Sequence, residues 1–176
     1  MRGIIEQERE HMTVRSRLAA ATAAFVVVSC VGLLTSPGTI GATMDVKDAI
    51  EARQKAMKEN AEHMKAINAY LETGQGDPAM VAEHAKAIAE IAKAIPTVFP
   101  AGSSLADNHG IKTAAKPEIW TDRAGFEQAA TYLGEEAEEL VEVADGGDKR
   151  AIAAAFAELG KEGCGGCHSK FRQKQD

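Results

Sequence analysis

The chain reads as an all-α protein: an antiparallel four-helix bundle with a long connection between helices two and three, preceded by an N-terminal targeting segment. Three observations predict this. Apolar residues recur at helical spacing in four separate stretches, each bounded by cap or turn residues. The first and last connections are only a few residues long, which sets neighbouring helices antiparallel. Of the 176 residues 45% are hydrophobic but only 5% aromatic, and alanine is abundant, as in a single, mainly helical domain.

Residues 1–42 read as targeting rather than structure. Arg15 and Arg17 precede the apolar run 18–34, and no charge appears from Leu18 until Asp45, the order of a basic n-region and an apolar h-region. Ser36-Pro37-Gly38 breaks that run, and small residues lead to Gly41-Ala42. A signal peptide cut near Ala42 is expected, or an uncleaved anchor, since the run sits near the short limit for spanning a bilayer. Val27-Val28-Ser29-Cys30 is like a lipidation box, but apolar residues rather than a polar tether follow Cys30, which favours an ordinary h-region cysteine. Glu6, Glu8 and Glu10 are atypical of an export signal, so translation from Met12 is an alternative start. In each case the folded part, 43–176, is expected in the periplasm or anchored to the outer side of the cytoplasmic membrane.

The first helix is expected over 46–73, with Ile50, Met57, Met64 and Leu71 repeating every seven residues, and stops at Gly74-Gln75-Gly76. Asp77 caps the second and Pro78 begins it; Val81, Ile88, Ile91 and Ile95 form one stripe before Pro96. The third runs from about 117 or 121 to 144 and carries Phe126, Ala130, Leu133, Ala137 and Leu140. The fourth, capped by Asp148 after Gly146-Gly147, carries Ile152, Phe156 and Leu159 and continues to about Phe171. Between helices two and three, 96–116 is rich in Pro, Gly, Ser and Asn. So long a loop is uncommon in a small domain, and it is expected to cross along the bundle's flank with a turn of helix around 104–107.

The net charge is −6, and beyond residue 42 sixteen Lys and Arg stand against twenty-three Asp and Glu. No phosphate-binding surface is expected on such a chain, so nucleic acid is not among its expected partners. The cluster Glu135, Glu136, Glu138, Glu139 and Glu142 reads first as a solvated face and second as a docking surface.

Cys164-Gly165-Gly166-Cys167-His168 carries the chemistry. Cysteines separated by two residues, the second followed directly by histidine, read as a covalent haem attachment site. On a helix Cys164, Cys167 and His168 share one face, so two thiols reach the porphyrin vinyl groups while the imidazole ligates the iron. A thioredoxin-type redox pair wants a βαβ context and a zinc site wants a second ligand pair; the sequence offers neither. The cofactor implied is haem c, one per chain, covalently attached.

With these residues the chain resembles the class II c-type cytochromes, cytochrome c prime and its low-spin relatives, over about 46–174. The resemblance rests on Arg53-Gln54-Lys55-Ala56-Met57, on Ile95-Pro96-Thr97-Val98-Phe99-Pro100 with Lys116-Pro117-Glu118-Ile119-Trp120, and on the attachment motif continued by Ser169-Lys170-Phe171-Arg172. It implies a four-helix bundle with the haem near its C-terminus. Cytochrome c prime typically has an apolar side chain four residues after the first-helix arginine, leaving the iron open to nitric oxide and carbon monoxide. Here that position is Met57, a soft thioether suited to haem iron, and the low-spin relatives carry methionine there. Spacing alone leaves Met57 as core filling. Met64, two turns on, lies roughly 10 Å further along the axis, so both sulfurs cannot reach one iron.

The family's equivalent of Arg53 approaches a haem propionate; a solvated helical arginine is the alternative. Arg172 is expected beside His168, and Trp120 and Phe126 are candidate pocket walls. His63, His84 and His109 read as surface histidines, and Met80 as packing. The leading function is a periplasmic one-electron carrier with His168 and Met57 on the iron, exchanging electrons with redox partner proteins. The alternative is a five-coordinate gas-binding protein. No acid-base constellation for an enzyme is visible, and the alanine-rich outer faces of helices one and two leave a homodimer open.

Overall fold

The computed structural model describes residues 44–107 and 110–174. The targeting segment expected at 1–42, with Met12 and Cys30, and also His109, lie outside the described residues.

Helix α1, Val46–Thr73, starts where the Asp45 carboxylate accepts from the Lys47 amide and ends on Gly74, whose φ of 65° is left-handed. Helix α2, Pro78–Ala94, is capped by Asp77, which accepts from Ala79 N–H, and has proline where no amide partner is needed. The chain does not stop at Pro96. It tightens into a 3₁₀ turn, Ile95–Val98, with the proline near its start. Helix α3, Glu118–Thr121, is a single turn. At Asp122 the backbone leaves the helix and the carboxylate caps α4, Arg123–Asp145, by accepting from Gly125 N–H. The third expected helix is therefore two pieces hinged on a cap. The last is three: α5, Lys149–Glu158, a wide π turn, Leu159–Cys164, and α6, Gly165–Phe171. Among the described residues no helix is long and apolar enough to cross a membrane.

Small side chains let α2 and α4 come close. Ala82, Ala85, Ala89 and Ala92 of α2 and Ala130, Gly134, Ala137 and Ala144 of α4 are all buried, and a Cβ built on Gly134 would sit 3.7 Å from that of Ala92. That contact is why an alanine-rich, aromatic-poor chain still closes a core. Leu140, Ile152 and Leu159 are fully buried beside it. Ile91 and Phe156, expected in the core, are only partly buried against its edge.

In α1 the heptad 50, 57, 64, 71 is fully buried only at Ile50. The sealed stripe lies one face over, at Arg53, Asn60 and Ile67. Two polar members hid it from a hydrophobicity pattern.

The long loop is tied down by side-chain donors on backbone carbonyls. Trp120 Nε1 donates to Pro100 O at 3.0 Å, Arg123 to Pro96 O at 2.8 Å, and Gln54 to Lys112 O at 2.8 Å. Residues 104–107 form no helix: the Asp107 carboxylate accepts from both the amide and hydroxyl of Ser104, making a turn. The end of the loop pairs with the C-terminus, with Lys116 N–H on Phe171 O at 3.0 Å and Gln173 N–H on Ala114 O at 2.8 Å.

Candidate functional site

A cavity of about 590 Å³ opens between α1, the end of the long loop, α4 and the last helix. Met57, Cys164, Cys167 and His168 all line it, with Phe126 and Phe171 as aromatic walls and Leu133 beneath. The walls are rigid because Phe126 packs edge-on against Phe99 and Phe171, at centroid distances of 4.8 and 5.4 Å. Trp120 is not part of the lining; its indole is spent on the loop. Met64 also lines the cavity, two turns from Met57. His63 and His84 do not line it. They are partly buried and face each other across α1 and α2 with Nδ1 atoms 3.0 Å apart, rather than lying on independent surfaces. Met80 packs against the core.

The two cysteines are half-buried and unbridged. Burial raises the pKa of Cys164, and burial plus the neighbouring Cys164 push Cys167 up to about 11. Redox-active thiols are held low, not high, and among the described residues no group of three or more His, Cys, Asp or Glu could hold a metal ion. Both rivals of haem attachment lose support on these grounds. His168 sits at the solvent edge; the surrounding protein first, and Arg172 second, lower its pKa, which favours the neutral imidazole a metal needs.

Arg53 lines the cavity and is not a solvated helical arginine. The residue is 3% exposed, and its guanidinium donates to Ser103 Oγ at 2.8 Å, Ser103 O at 2.6 Å and Thr113 Oγ1 at 2.7 Å, with its carbon 4.6 Å over the Phe99 ring. It staples the loop to α1, and burial pushes its pKa down to about 10. The sequence reading also missed Asn60. It lines the cavity at 8% exposure, and its Oδ1 has no hydrogen-bond partner. With Arg53 and Asn60 both on the stripe that ends at Ile67, no hydrophobic pattern pointed to it.

The residues fit a haem. The volume lies in the ~300–1,000 Å³ range of cofactor pockets, the donors are two thiols, an imidazole and a thioether, and a buried amide awaits a partner. A four-helix bundle that turns such a set into an apolar cavity from its last helix defines a c-type cytochrome of the bundle class.

The family model described as Cytochrome C' matches residues 48–172. The chain is 35% identical over 148 residues to the cytochrome c' of Rhodospirillum rubrum, covering 84% of this chain and 96% of that one. It is 30% identical to cytochrome c-556 of Rhodopseudomonas palustris, over 78% of this chain and 91% of that one. The crystal structure of cytochrome c' from Thermochromatium tepidum superposes with a TM-score of 0.68 at 32% identity, covering 76% of this chain and all of the other. The chain belongs to the cytochrome c' family, whose cofactor is a covalently attached haem c.

Proposed function

We propose that the protein is an exported one-electron carrier in which Cys164 and Cys167 would hold a single haem covalently and His168 and Met57 would ligate its iron. The observation that carries this reading is that all four side chains, drawn from α1 and the last helix, line one cavity. When bound, the haem supplies a reversible one-electron iron couple. The chain's own residues do the rest. The cysteines fix orientation, His168 offers a neutral nitrogen, and Met57 offers a polarisable sulfur that favours the reduced iron. Phe126, Phe171 and Leu133 keep water from the buried side, and the packed bundle holds both ligands in place through a change of charge. Redox partner proteins are its expected contacts.

A five-coordinate gas-binding protein is the second reading, favoured by family membership. A cytochrome c prime variant from Alcaligenes xylosoxidans has been solved as its nitric oxide complex. Pairing of two copies is likewise drawn from relatives, one of which is described by a ligand-controlled dimer dissociation.

The deciding measurement is the visible spectrum. His/Met ligation gives a low-spin ferrous spectrum unmoved by carbon monoxide, and Met57→Ala turns the iron high-spin and open to it while Met64→Ala does not. High-spin bands in the wild type overturn the carrier reading, and a change on Met64→Ala alone assigns the ligand to the other sulfur.

A further inference from the structure

Outside the haem cavity, α1 and α2 bring two imidazoles together. His63 and His84 are both partly buried, their ring centroids lie 5.2 Å apart with the planes tilted by 48°, and their Nδ1 atoms are 3.0 Å apart. As neutral rings they share one proton, which one Nδ1 donates to the other. The same separation suits a larger cation. Two histidine nitrogens held by one ion, each at ~2.0–2.1 Å, stand about 2.9 Å apart when they subtend a right angle and about 3.3 Å apart at the tetrahedral angle. The observed spacing falls at the right-angled end, the geometry of adjacent ligands in a tetragonal Cu(II) or Ni(II) site.

We propose that His63 and His84 form a metal site separate from the haem, in which both Nδ1 atoms chelate one divalent ion of the Cu(II) or Ni(II) kind. The proton between the rings moves to Nε2 of the ring that carried it, so both Nδ1 lone pairs face the ion and no net proton is released. Among the described residues no group of three or more His, Cys, Asp or Glu could hold an ion, so water fills the remaining positions, reaching them past the exposed part of each ring. The surroundings favour a cation. Each histidine stands in the same Glu-His-x-Lys sequence, and in each the lysine is paired with the glutamate, Lys65 with Glu62 at 3.9 Å and Lys86 with Glu83 at 3.0 Å. The chain as a whole carries a net charge of −6. Both ligands are mounted on long helices, which hold such a pair more firmly than loops do. The ion clamps α1 to α2 about 9 Å along the helix axis from Met57, and the site stands whichever ligands the haem iron takes.

The test titrates ferric holoprotein with Cu(II), read by calorimetry and by the EPR spectrum of the bound copper, whose superhyperfine lines count coordinated nitrogens. Binding of one ion through two imidazole nitrogens is expected, with a rise in Tm at saturating Cu(II) because only the folded chain presents the pair. His63→Gln and His84→Gln each break the chelate and are expected to weaken binding by on the order of 100-fold, while the visible haem spectrum stays unchanged and shows that the bundle is folded. Equal affinity and an equal nitrogen count in either variant, or no copper bound by the wild type, overturn the proposal and leave only a hydrogen-bonded pair. Should a variant lose its haem spectrum, the wild-type EPR decides alone, and fewer than two nitrogens on the copper overturns the site.

Discussion

Arg53 offers the most exacting test of the structure. Replacing it with methionine keeps the aliphatic stem and removes three hydrogen bonds and a cation over Phe99. Two of the acceptors keep other partners: the Ser103 hydroxyl still donates to Pro100 O at 2.8 Å, and Thr113 Oγ1 still accepts from Ala115 N–H at 3.2 Å. Their loss is worth about 0.5–1.5 kcal/mol each. The Ser103 carbonyl belongs to a residue with 0% exposure, and leaving it unpaired adds about 1–3 kcal/mol. Against this stands relief from burying a charge, visible as the pKa depressed to about 10. The net expectation for Arg53→Met is a loss of about 2–4 kcal/mol, read as a shift in urea midpoint of the holoprotein, or roughly 10 °C in Tm. Amide exchange at Leu105, which donates to Ala115 O across the loop, should quicken in step. Arg53→Lys should restore less than half of the loss, because an ammonium cannot replace the planar fork. A loss under about 0.5 kcal/mol, or full restoration by lysine, would refute the loop-staple reasoning.

Three further outcomes are expected. Replacing Cys164 and Cys167 together by alanine should abolish haem staining on a denaturing gel. The Asp122 carboxyl is held below the usual carboxylate range, chiefly by the hydrogen bond from Lys170 at 2.5 Å and then by Gly125 N–H. Its contribution is therefore present above the unfolded pKa near 4 and lost as pH falls through the lower folded value, so the gap in Tm between wild type and Asp122→Asn should narrow from pH 7 to pH 3. Gly74→Ala, at a φ of 65°, should cost about 1 kcal/mol in chemical denaturation without altering the visible spectrum.

Much of the architecture was legible because caps and turns are local chemistry. Asp45, Asp77 and Asp148 each accept the amide two residues on, and glycine ends α1, so the helix boundaries followed from single residues. The haem motif was equally local. What stayed hidden depended on distant partners. Arg53 and Ser103 are fifty residues apart, and no periodicity announces that a helical arginine will be sealed by a loop. The Ala114–Gln173 pairing and the facing of His63 and His84 are of the same kind. The notion of Trp120 as a cavity wall failed because the indole N–H needs an acceptor when buried, and Pro100 O draws the ring to the loop. Met57 and Met64 are half-buried for a reason outside the pattern: they face a space shaped for something other than side chains.

The last helix shows how a site can override a uniform helical reading. Leu159, Gly163, Cys167 and Phe171 recur every four residues, and all four turn toward the core or the cavity. A regular helix advances about 100° per residue, so twelve residues from Leu159 to Phe171 overshoot three turns by about 120°. Left uncorrected, that drift would carry Phe171 off the core or Cys167 off the cavity. The π turn at Leu159–Cys164 absorbs it, since one extra residue per turn takes back about 100°. Gly163 makes the adjustment sterically open: a Cβ there would lie 3.2 Å from Leu133 Cδ1 and 3.3 Å from Leu159 Cδ1. The wide turn thus lets one continuous helix anchor Leu159 and Phe171 in the core while Cys164, Cys167 and His168 all border the cavity. A strict 3.6-residue helix would have had to give up one or the other.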